Sequence, residues 1–145
     1  MVLRAEEGES YHMVTHSDGS KGEALTCDTG SFMKMDGQEV FKFAVRQVPA
    51  CIAEVMEHNH LMAEDIDYFI LHQANRRIVE AVAKRMKVEL TKFPMNLQEY
   101  GNTSSASIPL LLDEMNREGR LKKGQKLVLA GFGAGLSWGA SLLEW

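Results

Sequence analysis

The strongest constraint on this fold comes from an apolar run that leads directly into a polar tetrapeptide and then into a helix. Tyr68–Leu71 is short and rich in aromatic and branched side chains, which predicts a buried strand. Apolar residues that include Ile78, Val82 and Met86 then recur at helical spacing. The tetrapeptide at 72–75 is therefore expected at the carboxyl end of a strand, where open α/β sheets bind ligands.

The rest of the chain alternates between strand-like and helix-like segments. The expected strands are residues 11–16, 67–71, 94–97, 126–130 and 137–143, and the expected helices are 37–59, 74–86 and 105–116. We predict an α/β fold with a mixed, mostly parallel five-stranded sheet, helices on both faces, and the last two strands as an antiparallel edge. Residues 17–36 are interpreted as a long surface loop. We expect Pro49 to kink or restart the first helix, and Ser104 or Ser105 to cap the third.

Composition excludes several classes of partner. The chain has 145 residues, a net charge of −4 and no basic run longer than Lys122-Lys123, which argues against nucleic acid. No stretch approaches the length of a membrane-spanning helix, and the N-terminus does not resemble a signal peptide. The two cysteines, Cys27 and Cys51, form no pattern, which favours a reducing cytoplasm.

His72 and Asn102 are the main candidate pair. Asn102 follows His72 by 30 residues, about one helix and one strand, so a parallel sheet would bring both to the same edge. An imidazole N–H and an amide NH₂ aimed at one carbonyl oxygen would stabilise negative charge on it, as enolate chemistry requires. The alternative is structural, with His72 ending a strand and Asn102 serving a tight turn.

A second candidate is the glycine-rich segment at 131–135. A dinucleotide fingerprint must open a helix, whereas this segment precedes a strand-like run. It either brings backbone amides close to a ligand or simply forms a hairpin bend.

The remaining candidates are weaker. Histidines 12, 16, 58 and 60 lack partners at metal-ligand spacing, so no metal site is expected. Cys27 and Cys51 are interpreted as spare thiols. Arg76 and Arg77 open a helix whose last turn is also basic; they form either a solvated face or a small platform suited to phosphates or an acidic partner.

Four ordered motifs resemble the second half of β-ketoacyl-[acyl-carrier-protein] synthase III, the initiating condensing enzyme of bacterial fatty acid synthesis. The motifs are Met35-Asp36-Gly37-Gln38-Glu39-Val40-Phe41-Lys42, His72-Gln73-Ala74-Asn75, Gly101-Asn102-Thr103-Ser104-Ser105-Ala106-Ser107, and Gly131-Phe132-Gly133-Ala134-Gly135 with Ser137-Trp138-Gly139. The resemblance extends from about Val2 to Trp145. Asn102 stands where related condensing enzymes carry a second histidine.

The resemblance implies a thiolase-type fold of two similar lobes, of which residues 10–145 would be the second. It implies an acyltransferase that joins a cysteine-bound acyl group to malonyl on acyl carrier protein with loss of carbon dioxide. His72 and Asn102 would hold the malonyl thioester oxygen, and the Ala134 amide would serve the oxyanion hole of the acyl-cysteine. Phe132 would pack beside the site. Acyl-CoA and malonyl thioesters would be substrates, and no cofactor is implied.

The same resemblance assigns binding roles. Asn75, Gly37 and Phe41 match positions that line the pantetheine and coenzyme A channel. Arg77 matches a basic position that docks acidic acyl carrier protein, and Arg76 lies beside it.

One element of the family pattern is absent from this sequence. The nucleophilic cysteine belongs to the first lobe, and residues 1–9 match only the tail of that lobe's last strand. We therefore expect no complete condensation from the chain alone. We also expect the helix at 105–116 to present an apolar face to the first lobe, so that the chain would associate, with a homodimer expected. The rival hypothesis is a non-catalytic module that binds acyl carrier protein or a partner subunit.

Overall fold

The computed structural model of the chain describes residues 12–145, which contain six strands and four α-helices. The expected strand tail at 1–9 lies outside the described residues. The strands are β1 (Met13–Ser17), β2 (Leu25–Thr26), β3 (Lys34–Met35), β4 (Tyr68–Leu71), β5 (Lys126–Gly133) and β6 (Ser137–Glu144). The helices are α1 (Gly37–His58), α2 (Arg76–Met86), α3 (Leu97–Tyr100) and α4 (Ser107–Arg117).

The long helix α1 confirms the prediction from helical spacing. The Asp36 carboxylate accepts hydrogen bonds from the first-turn amides of Gln38 and Glu39, both at 3.0 Å, and so satisfies donors that have no helical partner. The buried face of α1 includes Val48 and Ile52. The helix continues unbroken through Pro49, so the expected restart at that residue does not occur.

The main sheet has the order β1-β6-β5-β4, and only β4 and β5 run parallel. The prediction of a mostly parallel, five-stranded sheet is therefore wrong, because this sheet has four strands and is mostly antiparallel. A tight turn joins β5 to β6, which forces them to be antiparallel, and β1 pairs antiparallel with the other side of β6. The last two strands are thus central, whereas we expected them at an edge.

The predicted strand at 94–97 does not form. Residues 94–96 lie in no regular element, and α3 begins at Leu97. The reason is a tertiary contact, because the Asn96 N–H donates to the side-chain oxygen of Gln73 at 3.2 Å. That amide is therefore unavailable to a neighbouring strand.

Helices cover both faces of the main sheet, as predicted. Helices α1 and α2 bury their apolar side chains against one face, which includes Phe69 and Val128. On the other face α4 packs Leu111 and Met115 against the side chain of Ile70. Most of the apolar stripe of α4 is therefore covered by its own sheet, whereas Leu110 on the same helix is 39% exposed. That α4 presents an apolar face to a first lobe stays a prediction.

The segment before α1 is more ordered than a plain loop. It contains a 3₁₀ helix at Gly19–Ala24 and the small antiparallel pair of β2 and β3. Large apolar side chains are exposed here, with Phe32 at 91%, Met33 at 65% and Met35 at 61%. This segment exposes more apolar surface than α4, on which Leu110 is 39% exposed. Within residues 12–145, no helix combines the length and the apolar character that a membrane crossing requires.

Candidate active site

The carboxyl ends of the parallel strands β4 and β5 lie side by side, and the candidate site is built there. Leu71 is opposite Ala130 in the sheet, and the His72 N–H continues the pairing by donating to the Ala130 carbonyl at 2.8 Å. Phe132 follows two residues later on β5. The rings of His72 and Phe132 meet edge to face, with centroids 5.4 Å apart, so the two strands fix the position of the imidazole.

A cleft of about 870 Å³ opens at this edge of the sheet. Four of the predicted site residues line it together: His72, Asn102, Phe132 and Ala134. Its walls also include Trp138 and the exposed methionines of the 33–35 segment. A largely apolar cleft with a few convergent polar groups is the usual form of a small-molecule site.

His72 is half-buried at the base of this cleft. Burial lowers the pKa of its imidazole, because a partly desolvated ring resists protonation. The ring is therefore neutral near pH 7 and carries a single N–H. Its Nδ1 lies 2.7 Å from the Ser107 hydroxyl oxygen.

Asn102 is exposed to the cleft, and its amide has a fixed orientation. The Ser104 N–H donates to Asn102 Oδ1 at 2.9 Å, so the oxygen faces the backbone and the NH₂ group is directed away from it. No residue within 12–145 accepts a hydrogen bond from that NH₂ group. Ser104 adopts a left-handed conformation at φ 52°, a strained arrangement that often accompanies functional sites.

That turn also corrects the expected capping of α4. Neither Ser104 nor Ser105 caps the helix, which starts later at Ser107 and has no side-chain cap. Ser104 is committed to the turn that orients Asn102, and residues 104–106 form a short 3₁₀ helix.

The glycine segment forms a hairpin bend, which is one of the two interpretations that the sequence left open; the approach of its amides to a ligand stays a prediction. Gly131 and Gly133 belong to β5, and the hairpin bend that leads to β6 lies at 134–136. Gly135 has φ 135°, and a Cβ there would lie 2.9 Å from the Ser137 nitrogen, so the bend requires glycine. Ala134 is exposed in the cleft, and among described residues no acceptor faces its N–H.

Five predicted residues lie outside the residues that line the cleft. Asn75 caps α2 by accepting the Arg77 N–H at 2.8 Å, and the Arg77 guanidinium lies over the Phe41 ring, 5.6 Å from its centroid. Arg76 pairs with Glu80 at 2.7 Å. Gly37 is the exposed first residue of α1.

A chain of polar side chains, buried at Gln73 and Asn96 and partly buried at Glu114, lies beside His72 and was not predicted from the sequence. The Gln73 side chain donates to the Leu71 carbonyl at 2.8 Å and accepts the Asn96 N–H. The Asn96 amide then donates to Glu114 on α4 at 2.6 Å. Contacts between residues so far apart in sequence leave no periodic pattern. The available signal was only that Gln73 lies beside His72.

Neither cysteine belongs to the cleft. Cys51 is 2% exposed on α1, and burial raises the pKa of its thiol to about 11, which suppresses the nucleophilic thiolate. Cys27 is exposed but does not line the cleft. Within residues 12–145, no group of three His, Cys, Asp or Glu side chains is placed to hold a metal ion.

Comparison with known proteins gives a consistent result. The family described as 3-oxoacyl-[acyl-carrier-protein (ACP)] synthase III C terminal matches residues 56–145. The β-ketoacyl-[acyl-carrier-protein] synthase III of Clostridium novyi is 45% identical over 159 aligned residues, which cover 100% of this chain and 49% of the relative. That of Clostridium acetobutylicum is 52% identical over 115 residues, which cover 79% of this chain and 35% of the relative.

Solved structures agree with the sequence relatives. The crystal structure of 3-oxoacyl-(acyl carrier protein) synthase III from Pseudomonas aeruginosa superposes with a TM-score of 0.91 at 36% identity, covering 98% of this chain and 47% of that chain. The Aquifex aeolicus structure gives a TM-score of 0.89 at 39% identity, covering 92% and 43%. The chain thus spans about half the length of its relatives. Its fold is the α/β thiolase-like C-terminal lobe of these enzymes, and the chain belongs to the 3-oxoacyl-[acyl-carrier-protein] synthase III C-terminal family.

Proposed function

We propose that this chain supplies the malonyl-decarboxylating half of the active site of a β-ketoacyl-[acyl-carrier-protein] synthase III. The observation that carries the proposal is the convergence of His72 and Asn102 on one cleft, each with a partner that fixes its orientation. Two oriented donors in a partly desolvated cleft are suited to an oxygen that gains charge during a reaction.

The first step breaks the bond between the malonyl carboxylate and the central carbon. Carbon dioxide leaves, and the electron pair of that bond passes into the thioester as an enolate. His72 and Asn102 donate hydrogen bonds to the enolate oxygen. Each such donor contributes about a hundredfold or more in rate, because its interaction strengthens as the charge develops.

The second step forms a carbon–carbon bond. The enolate carbon attacks the carbonyl of an acyl group carried on a cysteine thioester. The Ala134 N–H stabilises the resulting oxyanion, and the cysteine thiolate then leaves. Because neither Cys27 nor Cys51 lines the cleft, the proposal assigns that cysteine to a part of the enzyme other than residues 12–145.

The substrates in this proposal are malonyl and acyl thioesters of acyl carrier protein and coenzyme A, without a cofactor. Val40, near the start of α1, and Met35 line the cleft. A pantetheine arm leaving the cleft beside them would pass Gly37 and Phe41 toward the cap of α2 at Asn75.

The exposed Arg76 and Arg77 at the start of α2 are the proposed docking point for the acidic carrier protein. Arg77 lies over the Phe41 ring, which would place the docking point at the end of the proposed channel. The exposed apolar side chains at 32–35 support self-association, and a homodimer in a cytoplasmic setting remains our expectation.

The test is release of carbon dioxide from malonyl-acyl carrier protein by this chain, with His72→Ala and Asn102→Ala beside the parent. We expect each variant to lose about a hundredfold in rate. His58→Ala and Asn116→Ala remove exposed residues of the same types outside the cleft, and both should release carbon dioxide at the parent rate.

The same experiment separates the rival function, a non-catalytic module that binds acyl carrier protein. The absence of a cysteine from the cleft favours that rival. Binding of malonyl-acyl carrier protein without any release above the buffer rate would overturn the decarboxylation proposal and support the binding module.

A further inference from the structure

The buried residue Ser107 makes a direct polar contact with His72. It is the first residue of α4 and is 2% exposed. Its hydroxyl oxygen lies 2.7 Å from His72 Nδ1 and accepts the Gln73 N–H at 3.2 Å. Ser107 also lines the cleft, but at 2% exposure it offers a ligand almost no surface. Its hydroxyl contacts His72 and Gln73, so its influence on a ligand acts through the imidazole.

The position of the hydroxyl proton follows from the contacts of Ser107. A serine hydroxyl has one hydrogen and two lone pairs, and the Gln73 N–H occupies one lone pair. A buried hydroxyl hydrogen requires an acceptor, because leaving it unpaired is costly. His72 Nδ1 is the acceptor that the described residues offer. The hydroxyl therefore donates to Nδ1, which must be unprotonated.

A neutral imidazole with an unprotonated Nδ1 carries its proton on Nε2. We propose that Ser107 is a positioning residue that holds His72 in this Nε2–H tautomer, so that the ring donates a hydrogen bond to a ligand oxygen in the cleft. The part of the proposal that concerns the ligand rests on the proposed function. The other tautomer would present a lone pair to the same oxygen and repel it.

The buried polar chain holds Ser107 at the required distance. Glu114 lies two helical turns after Ser107 on α4 and accepts the Asn96 amide at 2.6 Å. Asn96 in turn donates its N–H to the Gln73 side chain, and Gln73 is the residue next to His72. Helix α4 is thus tied to the end of β4 at two points, so the hydroxyl cannot shift without breaking buried hydrogen bonds.

The test is ¹⁵N NMR of the imidazole nitrogens in the parent chain, Ser107→Ala and Ser107→Thr. The five histidines are distinguished by comparison with His72→Asn. We expect the parent to show an unprotonated Nδ1 and a protonated Nε2 for His72. Ser107→Thr keeps the hydroxyl and should leave the ¹⁵N chemical shifts of His72 Nδ1 and Nε2 unchanged. Ser107→Ala should move both chemical shifts toward those of a ring that exchanges between the two tautomers.

Decarboxylation provides the second readout. We expect Ser107→Ala to lose about tenfold in rate, and Ser107→Thr to stay within about twofold of the parent. Ser31→Ala, an exposed serine away from the cleft, should match the parent in both readouts.

A protonated Nδ1 in the parent, or an unchanged tautomer in a folded Ser107→Ala, would overturn the inference. A protonated Nδ1 in the parent overturns the inference even where Ser107→Ala does not fold. Because the tautomer is measured without substrate, a parent that shows Nε2–H but releases no carbon dioxide would overturn the proposed function and leave the tautomer assignment standing.

Discussion

The rings of His72 and Phe132 meet edge to face, with centroids 5.4 Å apart and planes inclined by 71°. His72 follows β4 directly and Phe132 lies on the neighbouring parallel strand β5, so the sheet itself sets this contact. Phe132 in turn packs against Phe43 of α1, with centroids 6.3 Å apart. The orientation of the imidazole therefore depends on packing that extends from the cleft into the core.

We predict that Phe132→Ala weakens both stability and decarboxylation. Removal of the half-buried ring should lower the free energy of unfolding by about 1–3 kcal/mol, less than removal of a fully buried phenylalanine ring would. The loss of its contact with His72 should lower the decarboxylation rate about tenfold, since small displacements of a catalytic group are costly. Urea denaturation and carbon dioxide release measure the two effects.

Phe32→Ala is the matched control, because that ring is 91% exposed and lies outside the residues that line the cleft. It should leave the decarboxylation rate unchanged and lower the free energy of unfolding less than Phe132→Ala does. Equal loss of rate in the two variants, or full release by Phe132→Ala, would contradict the role given to the His72 contact.

Local patterns predicted the elements of this fold better than their arrangement. The spacing of Val48 and Ile52 indicates a helix because one turn brings them to the same face. The pairing of Met13 with Ser141 joins residues at opposite ends of the chain, and no periodicity encodes such a pairing. For this reason most strands of the main sheet were predicted, and so was the antiparallel pairing of the last two, whereas the strand order and the mostly antiparallel character of the sheet were not.

The candidate site was likewise only partly predictable from the sequence. His72 and Asn102 were predicted to meet, but only half of the reasoning holds. His72 follows β4 as expected, whereas the strand expected before Asn102 does not form and Asn102 follows α3 instead. Ser107 could not be predicted, because a serine near the start of a helix looks like an ordinary capping residue. Its contact with His72 depends on where α4 packs against β4, which only the tertiary structure determines.

The lowered pKa of His72 predicts a pH dependence of stability. Burial disfavours the protonated ring in the folded chain, so the unfolded chain binds the proton more readily, at a pKa of about 6.5. The contribution of neutral His72 to the free energy of unfolding is therefore fully present above about pH 6.5. It is lost as the pH falls toward the lower pKa of the folded state.

We therefore expect the free energy of unfolding to fall more steeply in the parent than in His72→Asn between about pH 7.5 and about pH 5.5. Urea denaturation at the two pH values measures this difference. His60→Asn, at an exposed left-handed position that asparagine tolerates, should keep the slope of the parent. Identical slopes in the parent and His72→Asn would contradict burial as the cause.

Gly139 and Gly131 are opposite each other on β6 and β5, but only Gly139 has a crowded position. A Cβ on Gly139 would lie 2.8 Å from the Val14 carbonyl oxygen and 3.2 Å from a Thr15 methyl carbon, whereas a Cβ on Gly131 would meet nothing within 4 Å. We predict that Gly139→Ala forces β1 away from β6.

The expected loss for Gly139→Ala is about 1–3 kcal/mol in the free energy of unfolding, as for other overpacked positions. Gly131→Ala should leave the free energy of unfolding within about 0.5 kcal/mol of the parent, since an added methyl group there fills open space. Urea denaturation of both variants measures the difference, and hydrogen exchange at the β1 amides locates it. Equal losses of unfolding free energy in the two variants would mean that the close approach of β1 does not limit the size of the side chain at residue 139.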